Sequence, residues 1–303
     1  MGKKIILYFL LAGLSLSRAD VVQGERSNRI LEGNVAAEGE FPYAVSIQTL
    51  GAPQLTNTRG HKCSGALISL QHVVTTAVCL YDFVQNVPVP INPTQYRVFA
   101  GSTVLTNDTT DRVRRIIDYV IHPRYTGPPA FVNNIAVLTL ASPFAKTVVK
   151  PISLPASNFA PADFTLCTVT GWGAYNRSTP YLSSVRQRYA TKYVYNQDVC
   201  TGIFNTIEHS PNILPSMICA ASYDLLSSNC FGDDGNSLVC NGVFTGVLSV
   251  GHQCELSSFP EIYTRISNYT TWIRGISGAG PTFSHSIFAM ITMFSLIQVY
   301  LSM

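Results

Sequence analysis

The sequence predicts an all-β fold, a sandwich or a barrel, with few helices. Short runs rich in Val, Ile, Tyr, Phe and Thr recur along most of its 303 residues. Turn-forming clusters of Gly, Pro and Asn separate them. Eight cysteines follow an export-type leader, so the scaffold is expected to be stapled by disulfides.

Taken in chain order, the leader comes first. MGKKIILYFLLAGLSLSRAD holds a Lys pair, an apolar run, and small residues at Ser17 and Ala19. That is the build of a secretory signal peptide over 1–19, with cleavage after Ala19. Strand-like runs follow: YAVSIQTL, GALISLQHVVTT, YRVFAGSTVL, IAVLTL, LCTVTGWG and GVFTGVLSV. GAPQLTNTRG, VPVPINP and YTGPPA read as the turns between them. SPFAKTVVKPISLPAS, with its prolines, divides the β region near the middle. The best helix spans Tyr263 to Ile276, where Ile266, Tyr269, Trp272 and Ile273 share one face. No repeat period or low-complexity block appears.

The C-terminal segment 277–303 reads as a processing or anchoring signal. Ser277, Gly278 and Ala279 precede a short uncharged spacer and an apolar tail from Ile287 to Met303. No charged side chain follows Arg274. A helix of that tail would rise about 26 Å, marginal for a hydrocarbon core of about 30 Å. The pattern suits a GPI signal with lipid attached at Ser277; a short membrane anchor or a soluble tail are the alternatives.

Charge excludes one class of partner. The net charge is +3, but Lys3, Lys4 and Arg18 lie in the leader. Setting those three aside leaves 17 basic residues against 17 acidic ones. No basic stripe remains to attract nucleic acid. The sequons at Asn107, Asn176 and Asn268 fit an exported, glycosylated surface. No C-x-x-C pair suggests a metal site, and no cofactor motif stands out.

The stretch NCFGDDGNSLVC, 229–240, places two adjacent carboxylates between glycines. Asp233 and Asp234 could form an acid/base dyad, a metal loop, or the altered remains of another chemistry. A calcium loop needs several alternating oxygen ligands, which GDDGNS does not offer.

From Arg29 to about Gly275 the chain resembles the trypsin/chymotrypsin-type serine proteases. The resemblance rests on RILEG, HKCSGALIS, TTAVC, HPRY, NNIAVL, VKPISLP, TGWG, MICA, CFGDDGNSLVC, LSVG and IYTRISNYTTWI, all in order. It implies two packed six-stranded antiparallel Greek-key β-barrels with a C-terminal helix. It also implies a short propeptide, 20–29, and a protease-like domain, 30–276. The expected disulfides are Cys63–Cys79, Cys167–Cys240, Cys200–Cys219 and Cys230–Cys254. Losing any one would cost about 2–5 kcal/mol.

The resemblance also implies that the three catalytic positions are substituted. Val78 stands at the general base, Asn134 at the group that orients it, and Asp234 at the nucleophilic serine. Acyl transfer needs a hydroxyl activated by a neighbouring base, and valine cannot move a proton. In a working Ser-His-Asp triad, Asp→Asn alone costs about 10⁴ in rate. His72 is expected to be a packed or rim residue rather than a substitute base. The oxyanion hole would be the N–H groups of Gly232 and Asp234, where a fixed carboxylate competes for the donors.

Further expectations follow from the same resemblance. Cleavage after Arg29 by an activating protease would free the Ile30 amine to pair with Asp233. The substrate pocket would take Ser228 as its floor, Gly251 as an open wall, and Glu261 either as a plug or as a charge offered to a cation. The expected function is a non-catalytic serine protease homologue, secreted or on the outer face of the plasma membrane. Its partner would be a protease, an inhibitor or a surface receptor. The alternative is an endopeptidase of weak or altered activity.

Overall fold

The computed structural model describes residues 33–51, 56–85, 87–176, 178–179, 181–223, 227–250 and 259–278. Fifteen strands are described, in chain order. A short β1 (Asn34–Val35) leads into β2 (Ala44–Thr49), β3 (His61–Leu67) and β4 (His72–Thr75). The hairpin β5 (Tyr81–Val84) and β6 (Val87–Pro90) follows, then β7 (Tyr96–Ala100), β8 (Val113–Ile121) and β9 (Ala136–Leu140). The second half carries β10 (Leu166–Gly171), β11 (Arg188–Val194), helix α1 (Gln197–Phe204) and β12 (Met217–Ala221). It continues with β13 (Ser237–Cys240), β14 (Val243–Val250), β15 (Glu261–Arg265) and helix α2 (Thr270–Ser277).

Two antiparallel rings result. The first closes in the order β2-β3-β4-β9-β8-β7, with β7 returning to β2. The second runs β11-β10-β13-β14-β15-β12, and β12 returns to β11 through Tyr193↔Ala221. Closure removes the sheet edges that would otherwise invite aggregation. The expected pair of six-stranded barrels is therefore present, with a short helix after the last strand.

Period-2 alternation explains why so many strands are buried on both faces. Val73, Leu67 and Leu138 fill the first barrel, while their neighbours Val74, Ala66 and Val137 face the seam between barrels. Leu238 and Leu248 fill the second barrel, while Val239 and Val247 face the same seam. Ile266 and Ile273 cover the seam from the C-terminal end. The strands at the seam, such as β4, β9 and β13, thus carry buried side chains on both faces.

The C-terminal element differs from the sequence expectation. Only Thr270–Ser277 is α-helical, preceded by a single 3₁₀ turn over Ile266–Tyr269. Tyr263 and Thr264 belong to β15, where they pair with Leu248 and Val247 of β14. Barrel closure, which needs this strand between β14 and β12, overrides the helical spacing. DFVQNVPVPINP also departs from a plain turn, since it forms the β5–β6 hairpin.

The bonds Cys63–Cys79, Cys167–Cys240 and Cys200–Cys219 form as expected. Cys230 is also disulfide-bonded, and its expected partner, Cys254, lies outside the described residues. Asn107, Asn176 and Asn268 are all exposed. Among the described residues no helix is long and apolar enough to cross a membrane, and none form a cluster suited to a metal.

Candidate functional site

The seam between the barrels opens into a cleft, and three separate elements feed it. The 3₁₀ turn Ala77–Leu80 after β4 supplies Val78. The approach to β9 supplies Asn134, separated from the strand by Ile135. The loop before β13 supplies Asp234. Val78 and Asp234 line one cavity of about 380 Å³, together with Phe83, Phe131, Phe231, Leu248, Ser249 and Val250.

Asn134 is fully buried and ties the Val78 turn to Ser249 and Thr264. Its Oδ1 accepts the backbone N–H of Val78 at 3.0 Å. Its Nδ2 donates to the Ser249 hydroxyl at 3.0 Å, and its own carbonyl accepts from Thr264 at 2.8 Å. Both ends of a neutral amide are thereby used. A carboxylate there could accept from the Ser249 hydroxyl but would have no proton for the Ser249 carbonyl, 3.3 Å from Nδ2.

The loop 229–236 is bent by two glycines with positive φ, Gly232 at +92° and Gly235 at +79°. A Cβ at Gly235 would overlap the Thr75 hydroxyl and the Ser64 carbonyl, so only glycine fits. His61 supports the same loop from behind. Its Nε2 donates to the Gly232 carbonyl at 2.9 Å, while its Nδ1 accepts from the Ser46 hydroxyl at 2.7 Å. Burial lowers the imidazole to about 4, so it is neutral.

The two adjacent aspartates part company. Asp233 is fully buried and turns inward, accepting the N–H groups of Gly173 and Cys230, each at 3.0 Å. Burial raises its carboxyl to about 7, and the nearby Asp234 and Glu261 add to the rise. Asp234 is half-buried and faces the cleft. Burial raises it to about 6, opposed by a hydrogen bond from its own backbone N–H. The two carboxyl groups therefore do not share a proton as a dyad would.

Of the residues expected to form the substrate pocket, Ser228 and Glu261 are both buried. Ser228 is buried, and among the described residues its hydroxyl has no hydrogen-bond partner. Glu261 is also buried and does not line the cleft cavity. Its Oε2 sits 3.0 Å from Nζ of Lys192, a side chain just as buried. Asn229 donates its backbone N–H to Oε1 and its Nδ2 to Oε2, and the Tyr263 hydroxyl donates to Oε2 at 2.8 Å. Lys192 also donates to the Ser227 carbonyl at 2.7 Å. Glu261 is therefore buried, and its charge is answered by this chain's own lysine.

Other expected residues fall elsewhere. Arg29, Ile30 and Gly251 lie outside the described residues. His72 is half-buried on β4, with Ser69 Oγ 2.9 Å from its Nδ1, away from the cleft. Ser277 closes α2, its hydroxyl donating to the Ile273 carbonyl. Sequence reasoning missed His61 and Lys192. The second had a signal: Lys192 shares the inward face of β11 with Ala190 and Val194.

The profile of the Trypsin family matches residues 30–273. The chain belongs to the trypsin family. It is 31% identical over 263 residues to the serine protease filzig of Drosophila melanogaster, covering 84% of this chain and 15% of filzig. It is 30% identical to transmembrane protease serine 9 of Rattus norvegicus, covering 84% of this chain and 23% of that protein. The chain thus spans under a quarter of either relative's length. Trypsin beta of Drosophila erecta is 28% identical over 246 residues, covering 81% of this chain and 87% of that trypsin. Among solved structures, neuropsin, a serine protease of mouse brain, shares the fold. Its TM-score is 0.66 at 24% identity, covering 81% of this chain and 98% of that one.

Proposed function

We propose that this trypsin-family chain does not hydrolyse peptides and works by binding another protein, outside the cell or tethered to its outer surface. One observation carries the reading. Val78 and Asp234 line the same cavity, at the positions where the resemblance puts a base and a hydroxyl that would have to exchange a proton. The neutral Asn134 supports it, because among the described residues its side chain is spent on Val78 and Ser249 and holds no imidazole. The partner is a protease, an inhibitor or a surface receptor, and the loops around the cleft are the recognition surface.

A second reading, a protease of weak or altered activity, has the family and its protease relatives in its favour. It requires chemistry from a carboxylate without a base. At about 4 Å and an effective dielectric near 20, a fixed anion would oppose a developing oxyanion by roughly 4 kcal/mol. That offsets what one oxyanion donor supplies, roughly 2.7–4 kcal/mol.

Processing after Arg29 fits the binding reading. Asp233 is a buried carboxyl with two backbone donors and, among the described residues, no cation in contact. A free Ile30 amine would be that cation and would order the cleft loops. Affinity capture from the protein's native extracellular fluid tests this. The cleaved chain is expected to retain a partner that an Arg29→Gln chain does not. Equal capture by both forms would remove the switch.

A further inference from the structure

We propose that Asp234 anchors a basic side chain, Lys or Arg, of the protein partner, presented beside an apolar residue. The proposal rests on the binding reading and names the chemistry of its occupant. The main cavity of about 380 Å³ adjoins a second of about 220 Å³, and both are lined by Val78 and Phe83. The second is walled by Tyr81, Pro88, Tyr125 and Pro128. Across both cavities Asp234 is the one charged side chain among the described lining residues. No described cation forms an ion pair with it.

Charge complementarity selects the occupant. A half-buried carboxylate in apolar surroundings is poorly solvated, so a partner's cation gains more there than at an open surface. Phe83, Phe131 and Phe231 line the same cavity, and aromatic rings attract an ammonium or guanidinium. The apolar stem of Lys or Arg can lie along the same walls. The deeper anion is not available to it. Glu261 is already paired with Lys192 and hydrogen-bonded by Asn229 and Tyr263. The cation subsite therefore lies at the mouth of the cleft, at Asp234, and not at the pocket floor.

The hairpin beside the cleft favours side-chain recognition over strand addition. Ile91 N–H donates to the Leu80 carbonyl at 3.0 Å, which fixes the register. Val87 and Val89 then point their N–H groups inward, while Pro88 and Pro90 stand on the outer edge with no N–H to give. Phe83, Val84 and Val87 are each more than half exposed on this hairpin. They form an apolar shoulder for the residue flanking the cation.

The test is selection of a random decapeptide library on the full-length secreted chain at pH 7.5, followed by binding of the selected peptides. Selected peptides are expected to share a Lys or Arg next to an apolar residue. Replacing that residue by norleucine should weaken binding at least about tenfold. Asp234→Asn should cause the same loss, and the two changes together no further loss. Near-ultraviolet circular dichroism shows that the Asp234→Asn chain is folded. A Phe231→Ala chain should keep the preference for a basic residue while binding more weakly. Selection without a basic residue, no selected binder, or equal binding to Asp234→Asn overturns the proposal. Peptide cleavage detected by mass spectrometry during the assay would instead overturn the non-catalytic reading beneath it.

Discussion

Replacing Glu261 by Ala should be among the most damaging single changes outside the apolar core. The substitution strands the Lys192 ammonium inside the second barrel, where, among the described residues, the Ser227 carbonyl is the one hydrogen-bond partner left to it. It also takes the acceptor from the Asn229 backbone N–H, the Asn229 side chain and the Tyr263 hydroxyl. Breaking one side of a buried pair costs about 3–5 kcal/mol. Against a total stability of about 5–15 kcal/mol, that is a large share. In urea, with a slope of about 2–3 kcal/mol per M, the unfolding midpoint should fall by roughly 1–2 M. Removing both charges is the control. Lys192→Met with Glu261→Gln should recover most of the loss, because the cost lies in the uncompensated charge rather than in the absence of the pair. A midpoint shift below about 0.3 M for Glu261→Ala, or a double variant no better than the single, would refute this reasoning.

Two other outcomes are expected. Asp233 binds its proton more tightly in the folded chain than its ordinary 3.8, with burial raising it to about 7. An acid with a raised folded value destabilises the fold as it ionises, so the Arg29→Gln chain should lose stability as pH rises from about 4 to about 7. Three units at about 1.4 kcal/mol each set an upper size of about 4 kcal/mol. Asp234, raised to about 6, adds a loss in the same direction. Asp233→Asn should flatten the profile, as should cleavage that seats the Ile30 amine, and chemical denaturation at a series of pH values reads it; a profile that rises instead contradicts the assignment. For the tether, a phosphatidylinositol-specific lipase should release the protein from intact cells, whereas retention until detergent is added would favour a membrane-spanning tail.

How much the sequence disclosed depends on the range of the interaction. The barrel strands were legible because short β-branched and aromatic runs bounded by turn clusters mark each strand locally, and runs such as Val73/Val74 or Leu238/Val239 need no distant partner to be recognised. The last helix was only half legible. Tyr263 and Ile266 fit a helical face, but closing the ring between β14 and β12 claims Glu261–Arg265 as strand. The hairpin was hidden by its prolines, which normally argue against a strand; here they occupy positions whose N–H would face outward. The cleft's residue types were readable through the family resemblance, and the structure places Val78, Asn134 and Asp234 together. What completes Glu261 was not readable, because Lys192 lies far away in sequence on another strand. A lysine on the inward face of β11 was the only local hint.

The most direct measurement of the central claim combines a serine-directed fluorophosphonate probe with a broad panel of peptide and ester substrates. Both are applied to the chain cleaved after Arg29, beside a Gly232→Pro chain and an active trypsin. A non-catalytic cleft predicts no probe adduct on intact-mass analysis and turnover no higher than that of the Gly232→Pro chain. A stoichiometric adduct, or turnover clearly above that background, would contradict it.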